Sequence, residues 1–260
     1  MDTLPIPAQT LENYYHINGA QLERHYKDHL SDYHSWEQLS HAEDWLLFPQ
    51  NIGSRLSIDE TTLSDGELYT IVTNKAAKGR KGAILAIVAG TAAEKVIEVL
   101  EQLPEELRNK VEEITLDMAD SMRKIVRRCF PHAIRVIDRF HVQKLAHDAL
   151  QEMRIAHRWD AINMETEAKE QAKLACEKYI PELLENGRWY NQVAESGFKS
   201  FNTIAATVYE HYDEILNLFI NRSTNASTES FNAKIKAFRA SLREITDIKF
   251  FLFRLANIYA

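Results

Sequence analysis

Five residues of the 260-residue chain have the types and spacing to do chemistry together: Asp59, Asp117, Asp138, His141 and Glu229. Three of them close apolar runs. Asp59 ends Leu56-Ser57-Ile58, Asp117 ends Ile114-Thr115-Leu116, and Asp138 follows Val136-Ile137, with His141 just beyond. Side chains alternate across a strand, so Asp59 and Asp117 point away from their strands' main apolar stripe. If the two strands are neighbours, the carboxylates share a face. Asp138 falls on the side of Val136 and is the weaker match. Glu229 belongs to a helical pattern whose apolar stripe is Phe231, Ile235, Phe238 and Leu242; it lies roughly opposite, on the broad side of Asn232, Lys236 and Arg243. Three oxygen ligands of this kind suit Mg²⁺ or Mn²⁺. Two such ions, about 3.5–4 Å apart, serve in-line displacement at phosphorus.

Each residue also has an ordinary reading. A strand-end aspartate is usually a turn residue or cap, and Asp120 and Ser121 could cap the helix that follows Asp117. A single helical glutamate is usually solvated, and a lone histidine is usually a hydrogen-bonded structural one. The joint pattern is what points to metal-assisted chemistry on a polyanion.

The element that must position the aspartates is Val111–Val142. Val111–Leu116 and Ala133–Ile137 read as strands, and Ser121–Phe130 as the helix between them, with Met122, Ile125, Val126 and Cys129 at helical spacing. Pro131 ends that helix. Its other side carries Arg123, Lys124, Arg127 and Arg128. Two strands joined by a crossover helix predict a parallel pair in a sheet covered by helices. Upstream, Arg55–Asp59, Leu68–Thr73 and Ala83–Val88 read as three strands with short, turn-rich connections, which predicts an antiparallel meander. Ala92–Lys110 reads as a helix with a break at Pro104. Residues 143–220 are almost free of breakers up to Asn186-Gly187 and predict a helical layer outside the sheet. A last helical stretch runs from about Ser227 to the C-terminus. The divisions are therefore an irregular or helical preface over 1–52, a core over 53–142, a helical insertion over 143–220 and a completion of the core over 221–260. A DNA-binding helix-turn-helix in the preface is a lesser alternative.

Composition bounds the rest. At 45% hydrophobic the chain can bury one large core or two modest ones. No apolar run approaches the roughly 18–20 residues of a membrane span, and the N-terminus lacks a signal-peptide pattern, so a cytoplasmic protein is expected. Cys129 and Cys176 are the only cysteines, too few for a disulfide framework or a Cys-based zinc site. The net charge of -7 argues mildly against binding nucleic acid by bulk charge, but the crossover helix and the C-terminal region are locally basic.

Five segments carry a resemblance: SIDE at Ser57–Glu60, LYTIVTNK at Leu68–Lys75, LDMADSMRKIVRRCFPHA at Leu116–Ala133, VIDRFHVQKLA at Val136–Ala146 and NRSTNASTESFNAKIKAFRASLR at Asn221–Arg243. In these the chain resembles the DDE transposases of bacterial insertion sequences, in the ISL-three-like group and its ISAon-type branch. The resemblance implies an α/β, ribonuclease-H-like fold: a mixed five-stranded sheet with flanking helices, interrupted by a helical insertion. It implies Asp59, Asp117 and Glu229 as catalytic, metal-binding residues for two Mg²⁺ or Mn²⁺ ions, with Asp138 as the alternative second ligand. Asp138 and His141 otherwise resemble a supporting D-x-x-H pair. The implied activity is hydrolysis of phosphodiester bonds at element ends, then joining of the freed 3′-OH to target DNA. Implied partners are transposon-end and target DNA, a separate end-binding polypeptide and further copies of the chain in synapsis. Phosphates would be held by Arg123, Lys124, Arg127, Arg128, Arg139, Lys234, Lys236, Arg239 and Arg243. One departure stands out. Glu185-Asn186-Gly187 runs directly into Arg188-Trp189-Tyr190, as though much of the insertion were missing. A DNA-binding remnant without activity, and a ribonuclease-H-like nuclease without strand joining, are the rival readings.

Overall fold

The computed structural model describes residues 1–64, 66–179, 206–221, 226–242 and 247–260. They divide into two units, Met1–Arg139 with Asp213–Ala260, and Phe140–Tyr212. The first unit holds one six-stranded sheet built from β1 (Trp45–Leu47), β2 (Arg55–Ser64), β3 (Glu67–Asn74), β4 (Ile84–Ala89), β5 (Glu113–Leu116) and β6 (Ile134–Ile137). Its order is β1-β4-β3-β2-β5-β6. Strands β2, β3 and β4 form the antiparallel meander, and β5 and β6 extend it in parallel beyond β2. This is the ribonuclease-H-like arrangement, with six strands rather than the five expected. The additional strand, β1, pairs antiparallel with β4 from within the stretch read as a preface. Three residues are too few to display alternation, so its strand character comes from the partner.

Helices cover both faces. In chain order they are α1 (Ala8–Tyr15), α2 (Gly19–His25), α3 (Ala93–Glu101), α4 (Glu105–Arg108), α5 (Asp120–Cys129), α6 (Arg139–Leu174), α7 (Tyr212–Asn221), α8 (Ala226–Ser241) and α9 (Ile248–Tyr259). Paired residues share a face, so Ser57, Asp59 and Thr61 of β2 lie with Thr73, Ile71 and Tyr69 of β3. On that face Leu46, Leu63, Tyr69, Ile71 and Ile87 pack with Phe231, Ile235 and Phe238 of α8 and with Phe251, Leu252 and Leu255 of α9. Leu56, Ile58, Val72, Ile114 and Leu116 have the opposite parity and are buried too. There α3 and α5, packed on each other, contribute Val96, Val99, Met122, Ile125 and Val126. Each such side chain stabilises the fold by about 1.5–3 kcal/mol when fully buried.

The final helical stretch is two helices rather than one. Asp247 starts the second, its Oδ1 accepting the Phe250 N–H at 3.0 Å as an N-cap. Helix α9 also holds the N-terminal segment: Phe250 and Phe253 pack with Tyr26 and Tyr33, and the buried Arg254 guanidinium donates to the carbonyls of Met1 and Ile6 at 3.1 and 3.0 Å. In the second unit, α6 runs unbroken to Leu174 and is mostly exposed. No strand occurs among the described residues of 143–220, while Asn186-Gly187 lies outside them.

Candidate active site

Strand pairing brings two of the aspartates together. Strands β2 and β5 are parallel neighbours, with Leu56 beside Ile114 and Ser57 beside Thr115. Carried two residues past the last paired positions, that register sets Asp59 level with Asp117, and Glu60, next to Asp59, feels the charges of both. Both share the face of Ser57 and Thr115. Each carboxylate is also tied to its own chain. Asp59 Oδ1 accepts from Glu60 N at 2.8 Å, and Asp117 Oδ1 accepts from Ala119 N at 2.8 Å in the turn that leads into α5. The turn role is thus real for Asp117, and it leaves the second carboxylate oxygen for other work.

The register corrects the reading of Asp138. Val136 pairs with Thr115 and Ile137 with Leu116, and Asp138 N donates to Leu116 O at 2.9 Å. Asp138 therefore continues the row Asp59–Asp117 on the same face, and parity does not separate it from Asp117. Burial separates them instead: Asp138 is 3% exposed, whereas Asp117 is half-buried. Below this row lies Lys75, whose Nζ donates to Thr115 Oγ1 at 2.8 Å and Glu113 Oε1 at 3.3 Å. Burial lowers the Lys75 pKa, against the opposing pull of Glu113 and Asp138. His141 belongs to the second unit and Asp138 to the first.

Helix α8 closes the site from above. Asn232 Nδ2 donates to Asp59 Oδ2 at 2.6 Å. The position of Glu229 is three residues earlier on the same side of α8; its side chain lies outside the described residues, as does Arg243. Asn232 is 8% exposed, and its Oδ1 has no hydrogen-bond partner among the described residues. Thr61, two residues beyond Asp59 on the same face, also carries a buried hydroxyl without a partner among the described residues. Glu60 adds acidity: burial, then the charges of Asp117 and Asp59, raise its pKa. Among the described residues no three His, Cys, Asp or Glu side chains converge on one ion position. The donors that are present fit a hard divalent cation all the same. They are carboxylate oxygens, a buried amide oxygen lacking a donor, and an excess of negative charge.

Two of these residues were missed in the sequence. Asn232 has a legible signal, a polar residue one turn after Glu229. Glu60 has none, because strand alternation sends the neighbour of Asp59 to the other face.

The basic residues divide. On α5, Lys124 pairs with Glu94, and Arg128 Nε meets Glu101 Oε1 at 2.7 Å, both carboxylates coming from α3. Arg123 meets the buried Glu214 of α7 at 3.2 Å, and Arg135 of β6 meets the same carboxylate at 2.8 Å. Only Arg127 of that group is exposed without an ion pair among the described residues. On α8, Lys236 is exposed, Lys234 Nζ donates to Gly79 O at 3.1 Å, and Arg239 donates to Thr62 O at 3.4 Å. Arg139, at the start of α6, is exposed.

A three-strand meander extended by two parallel strands, with one aspartate midway along β2 and another just past the end of β5, defines a ribonuclease-H-like protein. No helix among the described residues is long and apolar enough to cross a membrane. The comparison with protein families goes further. Residues 56–187 and 182–255 match the transposase model of the ISL-three type of DDE element, and the chain belongs to that family. Neither the curated proteins nor the solved structures give a match.

Proposed function

We propose that this chain is an insertion-sequence transposase in which Asp59, Asp117 and Glu229 hold two Mg²⁺ or Mn²⁺ ions to cut and rejoin DNA. The observation that carries this reading is the Asp59–Asp117 register beneath α8, with Asn232 bonded to Asp59 and Glu229 one turn earlier. When bound, the ions supply activation of the attacking oxygen and stabilisation of the leaving one. The chain's own residues do the rest. Asn232 fixes the orientation of the Asp59 carboxylate and leaves its amide oxygen available as an acceptor. The turn bond to Ala119 holds Asp117 at the strand end. Lys236 and Arg239, on the Asn232 side of α8, hold the phosphate backbone of the strand being cut. Asp138, more deeply buried and near the Lys75 amine, serves as a supporting group. Transposon-end and target DNA are the substrates, with a separate polypeptide reading the ends and further copies of the chain completing the synapse in the cytoplasm.

The test is Mn²⁺ titration alongside cleavage of DNA carrying the element ends. Asp59→Asn and Asp117→Asn are expected to lose both metal binding and cleavage. Asp138→Asn is expected to keep metal binding, and the reverse order would make Asp138 the second ligand. Asn232→Ala should weaken metal affinity by about 10–100-fold, as loss of a supporting partner does.

A second reading has its own observation. The family match falls into two segments that meet at 182–187, where the helical insertion reads as shortened. This supports an internally shortened copy of the ISAon-type branch, one that binds metal and DNA but does not join strands. A strand-joining assay with pre-cut ends separates the two readings.

A further inference from the structure

At 3.6 residues per turn, α8 presents three sides. Phe231, Ile235 and Phe238 face the core, Asn232 and Lys236 lie on the flank beside Asp59, and Lys234, Ala237 and Ser241 lie on the other flank. That second flank lines a cleft of about 670 Å³ with Arg80, Lys81 and Tyr259. The loop that supplies Arg80 and Lys81 is fitted to the helix. Lys78 and Gly79 turn it through positive φ, 51° and 65°. A Cβ at Gly79 would lie 3.3 Å from Lys234 Nζ and from the Phe231 ring. The Lys234 amine is anchored on the Gly79 carbonyl, not on a carboxylate. Lys78, Arg80 and Lys81 are exposed and have no ion pair among the described residues. Four cations with no counter-charge among the described residues, gathered on a chain of net charge -7, contrast with α5, where acidic neighbours answer three of four.

We propose that this cleft binds DNA phosphate backbone, and that it takes a stretch other than the one presented to Asp59 and Asp117. Uncompensated cations beside an open groove are what backbone binding needs, since released counterions supply the affinity. The flank is the wrong one for the strand being cut, because the aspartates meet α8 at Asn232. The cleft therefore holds flanking or target DNA while the cut strand lies along Lys236. The inference rests on the DNA-processing function proposed above.

The experiment measures binding of a labelled duplex of random sequence across a salt series. It uses the full chain as wild type, Arg80→Ala/Lys81→Ala, Arg80→Glu/Lys81→Glu and Arg127→Ala. The Ala pair should flatten the salt slope by about two units, weaken unrelated sequences alike and leave Mn²⁺ affinity unchanged; the Glu pair should weaken binding further. Both side chains are exposed and have no ion pair among the described residues, so an unaltered thermal midpoint checks folding. A slope and affinity equal to wild type in both pairs would overturn the cleft as a DNA site, and a flattened slope in Arg127→Ala alone would move the contact to α5. Wild type that binds no duplex even at low salt would overturn the DNA-processing function itself, and the cleft with it.

Discussion

The flank of the sheet built by α3, α5 and α7 answers most of its charges, and the flank built by β2, α8 and the Lys78–Lys81 loop does not among the described residues. On the first, Lys124, Arg128 and Arg123 meet Glu94, Glu101 and Glu214. On the second, Asp59, Glu60 and Asp117 crowd together, and Lys78, Arg80 and Lys81 stand without carboxylate partners among the described residues. A balanced surface adds to stability and offers little to a ligand. An unbalanced one costs some stability by self-repulsion and recovers it when a counter-charge binds. Of the two basic regions named from the sequence, the comparison favours α8 and its neighbouring loop over α5 for the proposed phosphate binding.

The largest test of that contrast is Glu214→Ala. It takes from Arg123, 12% exposed, its nearer carboxylate, leaving Asp120 at 3.8 Å, and removes the partner of Arg135 as well. Breaking a pair this buried should cost about 3 kcal/mol in urea unfolding. A loss no larger than that of an exposed pair would show that the α5 flank is not held by its charges. Next comes unmasking. Glu94→Gln/Glu101→Gln leaves Lys124 and Arg128 unanswered, at little cost in stability because both pairs are exposed. If pairing is what silences α5, the variant's DNA salt slope should steepen by up to about two units; an unchanged slope means α5 lies off the DNA path in any charge state. The smallest effect is at Glu60. Its folded pKa is raised, so its ionisation opposes folding: stability is greatest below the usual carboxylate range and falls as pH rises through the raised value. Glu60→Gln should therefore raise the thermal midpoint at neutral pH and not in acid. Saturating Mg²⁺ should shrink the gain, by supplying the counter-charge that the site lacks.

Much of this was legible because it is local. Runs such as Ile114-Thr115-Leu116-Asp117 announce a strand, its end and the side of the carboxylate within four residues. The crossover helix shows its buried stripe at Met122, Ile125, Val126 and Cys129 just as directly. What was hidden depends on pairing between distant segments. The face of Asp138 is set by the register of β6 on β5, not by its own neighbours. The partners that neutralise α5 lie 30, 27 and 91 residues from it. Strand β1 is too short to alternate. The break between α8 and α9 comes from the Asp247 cap, a signal that an otherwise continuous apolar pattern overwhelms.

The discontinuity of the first unit has a consequence for how such a chain can change. Its core is made by Met1–Arg139 and Asp213–Ala260, and Asp59 meets Asn232 across 173 residues of chain. To that core, the segment 140–212 is a closed loop, whatever it does on its own account. Loop-closure entropy grows only with the logarithm of length, so halving or doubling such a loop shifts the free energy of closure by about 0.6 kcal/mol. Folding therefore exerts almost no selection on the length of that segment. A copy can lose a large part of it, keep the sheet, the aspartates and the Asn232 contact, and pass every test of stability while its capacity to transpose changes.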